Sequence, residues 1–401
     1  MITKPPQSNG KGTGFSKLII NLAMAAVCIS VMVMIFAIAI VKGYQQQVRN
    51  KIIGFNSNIQ VTHLDLNNSY ESLPVDRDYL FERLVRKQEG VTHLQKFATK
   101  AGIIKTDESF EGIVLKGVDT DYNWAFLKHH MLAGETFLVK DSIVGNKILL
   151  SEITAKRMNL KMGDPVFIYF IQDPPRVRKF TISGIFDTGM GDLDEIFAFV
   201  DIKQVQKLNN WERSQISGYE IGLKQFSQTQ HGREQLVSIT PYTMGISSIF
   251  DMYPALFDWL GLLDMNVLII IILMIAVASI NMVTALLILI LERTQMVGIL
   301  KALGSTDGQI SKVFLYIAGN IIIKGLLLGN LLGLGLAWIQ KKYGFIKLDQ
   351  RSYYLDTVPI QLEWSDVVFI NLGSFIICVL ILILPARYVS KIEPVKTIRF
   401  N

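Results

Sequence analysis

Cysteine is nearly absent from this 401-residue chain: Cys28 and Cys378 are the two, and both fall inside long apolar stretches. No disulfide framework can therefore brace the sequence between them. Charge is scarce too, at 18% of residues, while 50% of the chain is hydrophobic. The apolar residues are gathered into blocks instead of recurring at the period of one buried helix face, which excludes an ordinary water-soluble globule. The phosphate-cradling register G-x-x-x-x-G-K-[ST] is missing as well, because Gly12-Thr13-Gly14-Phe15-Ser16-Lys17 does not fit it and leads straight into an apolar block. If nucleotide energy drives this protein, another chain hydrolyses it. No internal repeat of fixed period and no low-complexity linker interrupts the sequence.

What is present is membrane. Leu18 to Val41 and Met265 to Leu291 carry no charge, and as helices they reach roughly 36 and 40 Å against a hydrocarbon core of about 30 Å. Val367 to Leu384 reaches roughly 27 Å, and Val313 to Gln340 is interrupted by the single charge of Lys324. The expectation is a membrane protein with four transmembrane α-helices, at 18–42, 265–291, 313–340 and 367–385. The tail 1–17 carries Lys4, Lys11 and Lys17 with no acid, and the tail 386–401 sets Arg387, Lys391, Lys396 and Arg399 against Glu393 alone. The positive-inside rule then places both termini in the cytoplasm, with the loop 292–312, and puts 43–264 and 341–366 outside. The first apolar block is too long for a signal-peptide core and lacks a small-residue cleavage site after it, so it reads as a retained anchor. Much of the net charge of +6 and of the pI of about 9.0 sits in the two tails. Topology explains that excess without nucleic acid.

The segment 43–264, inserted between the first and second spans, is long enough for a core of its own. Gly43 to Ile53 continues the first span outward with Tyr44, Val48 and Ile52 on one stripe and Gly54 as its stop, and Ile249 to Asp264 is a second stalk entering the second span. Two helical stalks of this kind would couple motion of the domain to motion of the spans. Between them Asn58–Thr62, Ile103–Thr106, Glu111–Lys116, Val166–Phe170, Phe180–Ile185 and Ile196–Val200 read as strands. Tyr79–Gln88, Ser151–Met158 and Ile202–Asn209 read as helices, and Gly163-Asp164-Pro165 as a turn. The outer, periplasmic domain is α+β.

Several motifs resemble chemistry and fail its requirements. Asp187-Thr188-Gly189 occurs once, whereas aspartic-protease chemistry needs two carboxylates sharing a proton. Asp187, Asp192, Asp194 and Glu195 lack the calcium-loop register and read as a solvated acidic turn. His129 and His130 are adjacent, so their side chains diverge, and no metal site is expected. Lys324 costs about 2.5–3.5 kcal/mol at a span centre. It either makes a polar contact inside the bundle, with Asn281 or Asn320, or snorkels along Gly325. Gly325, Gly329 and Gly333 form a small-xxx-small face for close helix packing.

The most informative segment is the short loop after the second span. Met296, Ile299, Leu300 and Leu303 recur at helical spacing on one face, with Arg293, Thr294 and Lys301 turned elsewhere. Gly304 can take the left-handed conformation that stops a helix, and Thr306 with Gln309 is a capping-box pattern that starts the next. The periodicity fits equally a helix gripped by a partner and one lying on lipid headgroups.

On this loop, the post-span run Lys42 to Phe55, Ile59-Gln60-Val61, Gly112 to Asp119, Ser183 to Met190 and the tail Pro385 to Val395, the chain resembles the LolC/LolE-type lipoprotein-releasing permeases. These fall within the wider family of MacB-like and FtsX-like ABC transporter permeases. The resemblance implies a non-catalytic subunit of the bacterial inner membrane that binds no cofactor itself. It would pair with a second permease copy, identical or related, and with two copies of an ATPase subunit that uses ATP and Mg. Its substrate would be a lipoprotein extracted from the lipid bilayer and handed to a periplasmic carrier. Arg293, Met296, Gly298, Ile299, Leu300, Lys301, Leu303 and Gly304 would form the coupling helix seated on the ATPase. Where this chain has Met296 the family commonly has an acid, which implies a more apolar contact. Phe36, Ile40, Tyr44, Leu262, Met265 and Ile269 would line the cavity for the acyl chains, and Pro174, Pro175 and Arg176 would be the carrier-binding hook. Two other readings share the scaffold: a MacB-like exporter of drugs, peptides or haem, and an FtsX-like regulator of cell-wall hydrolases.

Overall fold

The computed structural model describes residues 12–65, 70–106 and 109–388. It divides into two units, Met1–Gln45 with Trp259–Lys347 and Thr357–Asn401, and Gln46–Asp258 with Leu348–Asp356. Lys4, Lys11, Lys391, Glu393, Lys396 and Arg399, which carry much of the orientation argument, lie outside the described residues.

The membrane unit is built on α1 (Gly12–Asn56), α2 (Pro254–Glu292), α3 (Thr294–Ala302), α4 (Asp307–Tyr343) and α5 (Trp364–Tyr388). Among these, α1, α2, α4 and α5 are long and apolar enough to cross a membrane, giving four candidate spans. A helix is the form such sequences must take, since the hydrocarbon core offers backbone N–H and C=O groups no other partner. The glycine face packs as expected. A Cβ at Gly325 would lie 2.8 Å from the Val27 Cβ, one at Gly329 would lie 2.7 Å from the Cys28 carbonyl oxygen, and one at Gly333 would lie 3.3 Å from the Ile35 Cβ. These three glycines let α4 run against α1 nearly backbone to backbone.

Of the two readings of Lys324, the polar contact with Asn281 or Asn320 is not made among the described residues. Lys324 is exposed on α4, and the Asn281 side-chain amide donates to the Val277 carbonyl one turn back on its own helix at 3.0 Å. The polar clasp of this unit lies elsewhere. Asn330 and Asn371 exchange amide hydrogen bonds of 2.6 and 2.9 Å between α4 and α5, each also bonding a carbonyl of its own helix.

Among the described residues the outer unit has ten strands in one sheet: β1 (Ile59–His63), β2 (Val91–Lys105), β3 (Phe110–Val118), β4 (Met131–Gly134), β5 (Lys147–Ser151), β6 (Pro165–Phe170), β7 (Arg176–Phe186), β8 (Phe197–Asp201), β9 (Gly218–Leu223) and β10 (Met244–Ser248). The order is β10-β1-β9-β2-β3-β8-β5-β7-β4, and β6 joins β7 back to β2. The fifteen-residue β2 makes this closure possible. One of its edges pairs β9 along Val91 to Phe97 and then β6 along Ile103 to Lys105. Strands β2, β3, β8, β5, β7 and β6 thereby close into a ring, which removes exposed edges. The alternation of β6 and β7 puts Val166, Ile168, Phe170, Phe180 and Ile182 inside. Helix Ile202–Asn209 has the bounds the sequence predicts, with Asp201 as N-cap and left-handed Asn210 as its stop. Sequence reading caught only the end of β2 and missed β4, β5, β9 and β10.

Two stalk expectations are corrected. Helix α1 does not stop at Gly54 but runs to Asn56, and the left-handed residue is Ser57. Gly54 is required for contact instead, because a Cβ there would stand 2.1 Å from the Phe126 ring. The second stalk is broken: Ile249–Met252 is a short separate helix with a Ser248–Asp251 capping box, and α2 begins at Pro254. Beyond α1, the Lys116 ammonium bonds Glu220 at 2.6 Å and the Phe55 carbonyl at 2.8 Å. Gln60 and Gln95 donate to the same carboxylate, so this buried charge pair is saturated.

Gly329→Leu should destabilise the membrane unit by about 1–3 kcal/mol or more through overpacking. Detergent-solubilised thermal unfolding checks this, with Gly335→Leu as control, since nothing lies within 4 Å of a Cβ at Gly335.

Candidate functional site

The loop after the second span folds as the separate helix α3. Its C-terminus carries both bonds of a Schellman motif, Ser305 N–H to the Leu300 carbonyl and Gly304 N–H to the Lys301 carbonyl, each 3.0 Å, with Gly304 at φ +92°. The Gln309 side chain then accepts the Thr306 N–H at 2.9 Å and opens α4. Two tight caps leave α3 little freedom of direction.

Its faces are sharply divided. Val297 is fully buried and Gly298 is buried beside it, while Met296, Ile299 and Leu303 are exposed, Leu303 by 78%. Leu300 is half-buried, and Arg293 and Gly304 are exposed. Gly298 therefore differs from its expected placement, while Lys301 is turned off the apolar face as its spacing predicts. Gly298 faces into the chain, and Lys301 ties α3 to α4 through a 3.0 Å ion pair with Asp307. Exposed apolar side chains on a rigidly capped helix are what a grooved partner would receive. Val297, the buried anchor, escaped the sequence reading because it lies between the apolar positions that define the exposed face.

The residues expected to line an acyl cavity separate into two groups. Leu262, Met265 and Ile269 form an exposed stripe on α2. Phe36 and Ile40 are half-buried, but Tyr44 is buried, packed edge-on against Trp259 with ring centroids 5.7 Å apart. Next to it the Gln45 amide donates to the Leu260 carbonyl and to Asp264, both at 2.9 Å. Tyr44 is thus a fastener between α1 and α2.

The hairpin between β6 and β7 is short. Pro174 and Pro175 are exposed at its tip, whereas Arg176 donates to the Lys207 and Leu208 carbonyls and to Asn210 Oδ1 at 2.7, 3.1 and 2.6 Å. Arg176 caps the C-terminus of helix Ile202–Asn209, an occupation that its expected hook role did not include.

The acidic turn is not solvated at Asp194. That carboxylate is fully buried and accepts the Thr188 N–H at 2.9 Å and the Thr188 hydroxyl at 2.7 Å. Burial pushes its pKa up to about 7, against the Thr188 hydrogen bonds, which lower it. Lys51 at the end of α1 donates to the Thr188 and Tyr354 carbonyls at 2.6 and 2.7 Å. Gln350 and Tyr354 donate to Asp187 and Asp192 at 3.1 and 3.2 Å. Burial lowers the Lys51 pKa, opposed by Asp356, Asp187 and Asp194. The segment 348–356, the middle of the loop between the last two spans, is in this way tied to the 187–194 turn. Among the described residues no group of His, Cys, Asp or Glu is placed to hold a metal.

Comparison with known proteins gives a consistent assignment. The MacB-like periplasmic core domain matches residues 21–254, and the FtsX-like permease C-terminal region matches residues 268–394. The lipoprotein-releasing system transmembrane protein LolC of Neisseria meningitidis is 20% identical over 98% of this chain and 96% of its own length. LolE of Haemophilus influenzae is 20% identical over 95% of this chain and 94% of its own. The uncharacterized ABC transporter permease YknZ of Bacillus subtilis is 22% identical, over 95% of this chain and 94% of its own.

Asp194 gives a test of the turn. Its unfolded form ionises near 3.8 and its folded form near 7, so between those values the folded chain holds one more proton. Stability contributed by this group should therefore fall as pH rises from about 4 to about 7 and level off above. Asp194→Asn should flatten that slope in thermal unfolding measured across pH; an unchanged slope would refute the assignment.

Proposed function

We propose a lipoprotein-releasing role for this chain, which belongs to the MacB-like periplasmic core domain family and is an ABC-transporter permease. Its cargo is an acylated lipoprotein drawn from the outer leaflet of a bacterial inner membrane. Two permease copies and two ATPase subunits make the working assembly, with both termini of each permease in the cytoplasm. A periplasmic carrier takes the product. The observation that carries the coupling half of this reading is α3, capped at its C-terminus and followed at once by a capped α4, anchored by Val297, with Met296, Ile299 and Leu303 facing out. Its seat is a groove on the ATPase, so a power stroke there moves α2 and α4 together. The cargo half is supported by likeness to LolC and LolE along nearly the whole chain. The exposed α2 stripe of Leu262, Met265 and Ile269 is the surface proposed for the acyl chains. The likeness to YknZ supports a second reading, the same machine exporting a different cargo.

Ile299→Glu and Leu303→Glu change only exposed positions of α3. In proteoliposomes with the ATPase they should leave the folded yield unchanged and reduce transport per ATP by about tenfold, the equivalent of roughly 1.4 kcal/mol of lost docking energy. Normal transport would mean that α3 merely lies on lipid. Photocrosslinking from Met265 in cells should capture triacylated lipoprotein, and capture of a drug or peptide in its place would favour the second reading.

A further inference from the structure

The end of α4 remote from α3 and the segment entering α5 enclose a groove of about 370 Å³ in the membrane unit. Its chemistry is graded along the helix axis. Leu334, Ala337 and Val367 form an apolar wall, Trp338 and Trp364 flank the mouth, and Lys341 and Glu363 stand at the polar rim. Both indoles are exposed, Trp364 by 80%. Exposed indoles at the end of a membrane span sit at the level of the lipid headgroups. The Lys342 ammonium lies 5.0 Å from the Trp338 ring centroid.

The helix end beside the groove is fixed. Gln340 is buried, donates to the Ile346 and Val358 carbonyls at 3.2 and 3.0 Å, and accepts the Ile346 N–H at 3.0 Å. The chain leaving α4 and the chain returning towards α5 are both stapled to the helix end by this one side chain. The acidic rim is set by a second group of contacts. Lys42 pairs with Asp366 at 2.6 Å and stands 4.0 Å from Glu363, and Asp366 accepts the Glu363 N–H at 3.2 Å. Asp366 is thereby held inward with Lys42, and the Glu363 side chain keeps 63% of its surface exposed at the groove.

We propose that this groove binds a phospholipid whose headgroup carries a phosphate and a primary ammonium. Lys341 takes the phosphate, Glu363 takes the ammonium, and an acyl chain lies along Leu334, Ala337 and Val367. The order of chemistry in the groove, apolar then aromatic then charged, is that of such a lipid from chain to headgroup. Charge complementarity selects among lipids. A headgroup with a net negative charge would set that charge against Glu363, and a quaternary ammonium has no N–H to donate to the carboxylate. The volume suits a headgroup and the first part of a chain.

The test uses the full-length chain, delipidated in detergent and offered dioleoyl phosphatidylethanolamine, phosphatidylcholine or phosphatidylglycerol, with lipid adducts counted by native mass spectrometry. The ethanolamine lipid should be retained about tenfold more than either competitor. Lys341→Ala should abolish that retention, and Glu363→Gln should erase the preference for ethanolamine over choline while keeping the protein folded. Lys312→Ala, at the opposite end of α4, should change neither. Equal retention of the three lipids by the unaltered chain, or an ethanolamine adduct indifferent to both groove substitutions, overturns the proposal.

Discussion

The close approach of α4 to α1 is the contact on which the membrane unit depends. Lipid tails are as apolar as leucine, so no hydrophobic gain draws two spans together in a bilayer; contact area does. Gly325, Gly329 and Gly333 remove the side chains that would hold the helices apart, and Val27, Val31 and Ile35 fill the space they leave. The remaining spans are added by other means. Asn330 and Asn371 clasp α4 to α5 with paired amides, and the Ser311 hydroxyl reaches the Ala386 carbonyl at 2.8 Å. Further along α1, Tyr44 and Gln45 fasten α2. Each polar bond satisfies groups that lipid would leave unpaired, so the unit is specified by few residues.

A helix fixed in this way can transmit force at its ends. The α3 loop owes its direction to the Schellman turn at Gly304 and to the Lys301–Asp307 ion pair. Rotation of α3 would expose Val297, which is fully buried, and would break those bonds. The same rigidity explains the division of faces. One side of α3 is committed to its own chain, which leaves the other, apolar and exposed, as the surface available to a partner. The opposite end of α4 is organised by Gln340 with equal economy, and there the free surface is aromatic and charged.

The outer unit solves a different problem, the termination of a helix that arrives as a continuation of a span. Residues after Gln45 in α1 end against the sheet through Phe55, whose carbonyl accepts a hydrogen bond from the buried Lys116 as part of a saturated charge cluster with Glu220. One turn earlier, Lys51 binds the 187–194 turn and the 348–356 segment by two carbonyls. Single lysines inside protein, each supplied with acceptors, thus mark both the end of the stalk and its lateral support.

The four candidate spans, the glycine face, the inserted α+β domain and the caps around α3 were all legible in the sequence, because each follows from local pattern: block hydrophobicity, four-residue spacing, a left-handed glycine, a capping box. The resemblance to MacB-like and FtsX-like permeases was legible in dispersed blocks for the same reason. What the sequence could not decide was direction and partnership at long range. Only the tertiary structure turned Gly298 inward on α3, gave Lys301 its partner Asp307, buried Tyr44 under Trp259, tied Arg176 to a helix end and left Lys324 without Asn281. It alone closed the ring of strands by letting β2 serve two partners along one edge, and it alone buried Asp194. Periodicity states which residues share a face, but which face is covered depends on the elements packed against it, and those lie tens or hundreds of residues away.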